Sequence, residues 1–238
     1  MDIVLVPGLW LDGSTWSEVA HELTGAGHTP HPVTLPGMQS RDADRTGITL
    51  EQCVDAVLAA IDAADGPVVL VGHSAGCGLA SVALDRRPDR VARLVLIGGF
   101  PAVDGEPLMG GFPTVDGGIP LLEWSRFDEA DLRDLDEAML ARFRERALPS
   151  PAALATEPVV LRDDRRYDVP VTAVATEYTA ADLQSWIAGG EASVSEFRRF
   201  HDLTFVDLPT GHWPQFSRPA DLARVLLAQP PLSEEGTG

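Results

Sequence analysis

Two short segments of this chain carry residue types that work together in acyl-transfer chemistry. Gly72-His73-Ser74-Ala75-Gly76 sets a serine between glycines, and Thr210-Gly211-His212-Trp213-Pro214 sets a histidine near the end of the chain. A serine hydroxyl is a weak nucleophile until a neighbouring base takes its proton. The G-x-S-x-G spacing fits a sharp strand-to-helix turn in which the serine sits in strained backbone. Its neighbours must then be nearly free of side chains, which accounts for glycine at 72, 76 and again at 78. Such a turn also brings Ser74 to a helix N-terminus, where backbone N–H groups can face an anion. The motif alone is a common glycine-rich turn. With an apolar strand before it and a helical pattern after it, the spacing predicts Ser74 as nucleophile and His212 as its general base.

The tetrahedral intermediate of such a reaction needs N–H donors. The turn offers the backbone of Ala75, and the loop after the first apolar run offers that of Leu9 or Trp10. His73 lies beside the nucleophile, where its side chain should diverge from that of Ser74, so a packed or hydrogen-bonded supporting role is expected of it. Cys53 and Cys77 read as helix core. Neither has metal-ligand spacing, and no sequence-local cluster of His, Asp or Cys predicts a metal. No cofactor is called for, because the same serine, base and donors serve both halves of an acyl transfer.

The elements that must position these residues alternate between short apolar runs and segments of helical period, which predicts an α/β fold. Its sheet should be mostly parallel with helices on both faces. Ile3 to Val6 reads as the first strand, stopped by Pro7-Gly8. A helix is expected from about Thr15, where Thr15 and Glu18 have capping-box spacing. His28 to Leu35 is extended, and Thr49 with Gln52 opens a second helix carrying Leu50, Val54, Val57, Leu58 and Ile61. The run Val68 to Val71 has no polar interruption and suits a central strand covered on both faces. A helix to about Arg87 and a strand over Val91 to Ile97 follow.

Alternation then stops for about seventy residues. The interval opens with the Gly/Pro-rich stretch from Pro101 to Pro120. It continues with an acidic amphipathic segment whose Leu132, Leu135, Met139, Leu140 and Phe143 share a face, the charged side being a solvated one. A small helical cap is expected here. Regular elements resume with Val169 to Ala175, a helix near Ala180 to Ala188, a strand over Leu203 to Leu208 and a final helix from Ser217 to Ala228. The organisation expected is a core of residues 1–103 and 166–229, a cap insertion over 104–165 and a flexible tail over 230–238.

Composition narrows the partners. The formal charge is −18 and all 18 basic residues are arginine, so nucleic acid or an anionic membrane would meet mostly repulsion. No run approaches membrane-spanning length, and the start, Met1-Asp2 followed at once by a strand-like run, lacks the pattern of a secretory signal. A cytoplasmic enzyme acting on a small molecule is the resulting expectation.

Strand, serine turn, interrupted alternation and late histidine loop together resemble the α/β-hydrolase superfamily over essentially the whole chain. Val6-Pro7-Gly8-Leu9-Trp10, the serine turn, the Pro101 to Gly105 turn and the neighbourhood of Gln184 and Trp186 are similar to its small esterase and hydroxynitrile-lyase-like branch. Two departures stand out. Many relatives have His-Gly after the first strand, where this chain has Pro7-Gly8. They also carry an aspartate about three residues beyond the penultimate strand, where this chain places Thr179.

Glu177 is the nearest carboxylate at that strand end and its longer side chain can make up the shift, so it is the expected partner of His212. Asp104 and Asp182 are the alternatives, each with an ordinary reading as a turn or capping carboxylate, and a dyad without an acid remains open. The resemblance implies a serine hydrolase of small esters or lactones. A lyase or cyclase on the same scaffold, or a ligand-binding protein of hydrolase ancestry, are the rival readings, since fold alone does not choose among them.

Overall fold

The computed structural model describes residues 1–228, so the tail expected over 230–238 lies outside the described residues. Among these residues eight strands form: β1 (Asp2–Val6), β2 (Thr29–Pro32), β3 (Val68–His73), β4 (Val91–Ile97), β5 (Gly118–Ile119), β6 (Ser150–Pro151), β7 (Val171–Ala175) and β8 (Leu203–Asp207). Six of them make one sheet in the order β2-β1-β3-β4-β7-β8, every neighbouring pair parallel. The fold is α/β, with helices on both faces.

The helices are α1 (Ser17–Gly25), α2 (Leu50–Asp62), α3 (Ala75–Arg86), α4 (Glu137–Arg146), α5 (Ala153–Thr156), α6 (Ala180–Gly189), α7 (Pro214–Ser217) and α8 (Pro219–Leu227). Strand residues divide between two apolar layers by the two-residue period of the pleat. Ile3, Leu5, Val69, Val71, Val95 and Ile97 pack with Val19 and Leu23 of α1 and Leu222 and Leu226 of α8. Val4, Val6, Leu70, Leu94 and Leu96 face α2, α3 and the insert. All six residues of β3 are buried, as its uninterrupted apolar run requires.

Local starts and stops explain where the elements fall. The Thr49–Gln52 capping box forms in full, with Gln52 N–H donating to Thr49 Oγ1 at 3.2 Å and Thr49 N–H to Gln52 Oε1 at 3.0 Å. The Thr15–Glu18 box does not form. Asp12 accepts from Ser14 N–H at 2.7 Å and opens a 3-10 turn over Gly13–Trp16, so α1 begins only at Ser17. The helix expected from Ser217 begins at Pro219 as α8, and Ser217 closes the separate short helix α7. Arg218, which precedes Pro219, takes φ −141° and ψ 51°, outside the helical region that a following proline disfavours.

The segment between β4 and β7 is built differently. Its strands β5 and β6 are two residues each and antiparallel, and α4 is capped by Asp136, which accepts from Met139 N–H at 2.7 Å. The amphipathic face expected from Leu132 onward is helical only from Glu137. Asp134, at φ 68°, stands in the left-handed region and breaks the pattern between Leu132 and Leu135. Phe143 is buried, while Leu132, Leu135, Met139 and Leu140 are half-buried. Among the described residues no helix is long and apolar enough to cross a membrane.

Candidate active site

The strand order reverses direction between β1 and β3, and in an open parallel sheet the carboxyl ends at such a point form a crevice. The residues singled out in the sequence stand there. Ser74 follows β3 at φ 53° and ψ −125°, immediately before α3, a conformation that costs a side-chain-bearing residue about 1–3 kcal/mol. The turn is held by Ser74 N–H donating to Ile97 O at 2.9 Å and Cys77 N–H donating to Ser74 O at 2.9 Å. Its glycines are demanded by backbone approach. A Cβ at Gly72 would meet Gly76 O at 2.5 Å, and one at Gly76 would meet Val6 O and Pro7 O at 2.6 Å.

His212 lies in the loop between β8 and α7. Its Nε2 is 2.8 Å from Ser74 Oγ and its Nδ1 is 2.9 Å from Glu177 Oε1, so three side chains from 138 and 35 positions apart form one hydrogen-bonded line. With a neutral imidazole, Nδ1–H donates to the carboxylate and Nε2 accepts from the serine hydroxyl. Glu177 stands two residues beyond β7, with its other oxygen accepting from the Thr176 hydroxyl. Burial alone would push this carboxyl up. Its hydrogen bond to His212, the His212 charge and the Thr176 hydroxyl outweigh that, and its pKa falls to about 2. Glu177 is therefore ionised throughout the neutral range.

The two alternative carboxylates are occupied elsewhere. Asp104 accepts from Leu161 N–H at 2.8 Å, tying two ends of the insert together. Asp182 accepts from Thr179 N–H at 3.0 Å and Thr179 Oγ at 2.6 Å in the capping box of α6.

His73 is fully buried and diverges from Ser74. Its Nε2 donates to His212 O at 2.7 Å and its Nδ1 accepts from Gln215 Nε2 at 3.2 Å, which fixes the tautomer and ties the Ser74 turn to the histidine loop. Burial, reinforced by the charge of His212, lowers its pKa to about 3, so it stays neutral. Cys77 is buried and its thiol is pushed up by burial. Cys53 is raised to about 12 by burial and then by Glu157. Neither cysteine is in a disulfide.

The first-strand loop approaches Ser74 through Gly8, where a Cβ would lie 2.9 Å from Ser74 Cβ. Of the two loop donors considered, Trp10 N–H is taken: it donates to Ser150 Oγ at 2.7 Å. No protein acceptor engages Leu9 N–H or Ala75 N–H among the described residues.

Two neighbours of the site had no signal in the sequence. Ser150 belongs to a two-residue strand. Asp131 belongs to the acidic stretch read as a solvated face, yet it is half-buried, and its carboxylate, that of Glu177 and a His212 ring nitrogen lie within 4.8 Å of one another. Burial raises the Asp131 pKa, and its backbone carbonyl accepts from His212 N–H at 2.8 Å.

The model of the alpha/beta hydrolase family matches residues 3–225. Lipase LipV of Mycobacterium tuberculosis is 26% identical over 95% of this chain and 92% of its own length. A carbendazim hydrolyzing esterase of Nocardioides is 34% identical over 45% of this chain and 46% of its own. Among solved structures, an extracellular alpha/beta-hydrolase from a Paenibacillus species superimposes with a TM-score of 0.77. It is 22% identical, with 95% of this chain and 98% of that chain covered, and is described as sharing structural and functional homology with tobacco salicylic acid binding protein 2.

The chain belongs to the alpha/beta hydrolase family. It is a serine hydrolase of the esterase-like kind.

Proposed function

We propose that this hydrolase cleaves small carboxylic esters or lactones through an acyl-enzyme on Ser74. The observation that carries the reading is the unbroken line from Ser74 Oγ through His212 to Glu177, at 2.8 and 2.9 Å. His212 Nε2 takes the hydroxyl proton as Ser74 Oγ bonds to the carbonyl carbon. The carbonyl oxygen becomes an oxyanion received by Ala75 N–H and Leu9 N–H. Glu177 keeps Nδ1–H oriented and stabilises the imidazolium that forms. Collapse breaks the bond to the leaving alkoxide, which takes the proton from His212. A water then repeats the sequence on the acyl-serine, giving up its proton to His212 and releasing the acid and free Ser74.

Residues 104–165 serve as the cap over this centre. Trp10 meets Phe112 at 6.2 Å and Phe127 at 5.8 Å between ring centroids, and Trp213 meets Trp124, Phe127 and Phe143, so the core loops and the cap join through aromatic faces. The carbendazim-hydrolysing esterase among its relatives supports an ester-cleaving role.

The test is labelling by a fluorophosphonate together with turnover of a panel of 4-nitrophenyl esters and lactones. Wild type should label and turn over, and Ser74→Ala should do neither. Equal labelling of the two proteins would remove Ser74 from the mechanism.

A further inference from the structure

The loop between β1 and α1 reaches the nucleophile in a conformation it does not favour. Trp10 stands at φ 67°, in the left-handed region, with a large indole attached. Its peptide groups are clamped from both sides by one short stretch of the insert. Leu148 N–H donates to Trp10 O at 3.0 Å, and Trp10 N–H donates to Ser150 Oγ at 2.7 Å across 140 positions of sequence. Leu148 contributes only its main chain. Ser150 contributes its side chain, and it is 1% exposed, so no solvent stands ready to replace it.

A peptide unit is planar, so fixing Trp10 N–H on Ser150 fixes the Leu9–Trp10 plane and with it Leu9 C=O, while Leu9 N–H sits in the adjoining Gly8–Leu9 unit and is tied to that plane only through the backbone dihedrals of Leu9. Trp10 N–H is thereby withdrawn from the oxyanion, and Leu9 N–H, next to the glycine packed on Ser74, is left as the loop's donor. Oxyanion donors act only when aimed in advance at the place where charge develops, and tenths of an ångström decide their effect.

We propose that Ser150 is a positioning residue for the oxyanion loop: its hydroxyl anchors the Leu9–Trp10 peptide and so limits the turn about Leu9 Cα by which Leu9 N–H, in the adjoining peptide, could swing from the reacting carbonyl. This rests on the reading of Ser74 as nucleophile with Leu9 and Ala75 as donors. Ser150 lies on β6, paired through Ile119 with β5, and both strands belong to the insert. The core supplies the nucleophile, base and acid, and the insert completes the oxyanion hole. A cap that moved away from the core would take the Ser150 contact with it and leave Ser74, His212 and Glu177 in line but the hole loosened.

The experiment compares Ser150→Ala, Ser150→Cys and Ser150→Thr with wild type for kcat, KM and the affinity of a trifluoromethyl ketone, whose hemiketal oxyanion occupies the hole. Removing a whole donor costs about 10²–10³-fold, and loosening one by removing its support should cost about ten-fold. Ser150→Ala should lose that factor in kcat and the same factor in ketone affinity, with KM little changed. Ser150→Cys, which nearly keeps the buried volume but offers a weak acceptor, should show the same split if the alanine variant is unstable. Ser150→Thr, which keeps the hydroxyl, should retain most of both.

Unchanged kcat in folded Ser150→Ala or Ser150→Cys overturns the proposal, as does a fall in kcat without a matching fall in ketone affinity. Ser74→Ala is assayed alongside. If it still turns over ester, the underlying reading of the site fails; if it is dead while the Ser150 variants match wild type, only the role of Ser150 fails.

Discussion

The edge of the parallel sheet and the insert between β4 and β7 meet around one histidine, but they are held by different means. At the sheet edge, apolar strands are locked by parallel ladders, and backbone approaches of 2.5–2.6 Å to a hypothetical Cβ leave glycine as the residue that fits the turn. Side chains there enter the site from the ends of β3 and β7 and from the loop after β8. The insert has two-residue strands and one ten-residue helix. It reaches the site through Asp131, whose carbonyl accepts from His212 N–H and whose carboxylate lies near the ring, and it holds the Trp10 loop by Leu148 N–H and the Ser150 hydroxyl. On the proposed function, chemistry resides where the backbone is over-determined, and the segment between β4 and β7 adjusts what the sheet edge carries. If that division holds, substitutions at the sheet edge should abolish turnover without unfolding, while those in the insert should scale it.

Ser74→Ala gives the sharpest contrast. Alanine removes the hydroxyl and adds no bulk to the turn, so the fold should survive while kcat falls by about 10⁴-fold or more. Steady-state kinetics on protein of matched melting temperature checks this. Retained turnover would break the assignment of chemistry to the sheet edge.

Glu177→Gln comes next. The amide keeps the shape but cannot balance the imidazolium, and it can offer an N–H where Nδ1–H needs an acceptor, so the histidine tautomer is disturbed. A loss of about 10³–10⁴-fold in kcat with little change in KM is expected, by analogy with the same change in a serine protease triad. Asp131 lies close enough to share the imidazolium charge. A residual activity in Glu177→Gln that disappears in the double variant with Asp131→Asn would show the insert acting on the chemistry itself, and so sharpen the comparison.

His73 tests the rigidity of the core rather than its chemistry. Its pKa is about 3 in the folded protein and about 6.5 in an unfolded chain. Between those values the unfolded state binds the proton and the folded state does not, so stability is full above pH 6.5 and drains as pH falls toward 3. At about 1.4 kcal/mol per pH unit, this one group is worth a few kcal/mol across the window. Denaturant unfolding of wild type and His73→Gln at pH 7, 5.5 and 4.5 should show a shallower decline in the variant. Parallel declines would mean that His73 is protonated in the folded protein.

The same division explains what could be read in advance. Ser74 was legible because backbone approach forces the glycines at 72 and 76, leaving a local imprint in sequence. His212 and Glu177 were legible by position, since each follows a strand that must end at the same edge. Ser150 and Asp131 left no imprint, because their contacts with Trp10 and His212 join segments far apart in a region of weak periodicity. Helix starts failed where two caps competed: Asp12 begins a 3-10 turn before Thr15 can begin a helix. The final helix expected from Ser217 starts instead at Pro219, because the residue preceding a proline is pushed out of the helical region and Arg218 stands outside it.

The smallest expected effects belong to the carboxylates that compete with Glu177 on sequence alone. Asp182 accepts from the N–H and hydroxyl of Thr179 at the head of α6, and Asp104 accepts from Leu161 N–H where the insert returns to the core. Both hold backbone, and neither touches His212. Asp182→Asn keeps an acceptor oxygen but loses its charge at a helix N-terminus, so a melting temperature lowered by about 2–4 °C or less is expected. Asp104→Asn keeps an acceptor for Leu161 and should change stability less. In both variants kcat should stay within about two-fold of wild type, the threshold being set well below the 10³–10⁴-fold loss expected of an acid that orients the base. Kinetics must be taken well below the melting transition, so that a loosened helix end is not mistaken for a chemical defect. A loss of a hundred-fold or more in folded Asp104→Asn would place the acid after β4 and make the Glu177 contact secondary. The same loss in Asp182→Asn would mean that α6, rather than the end of β7, carries the group that orients His212.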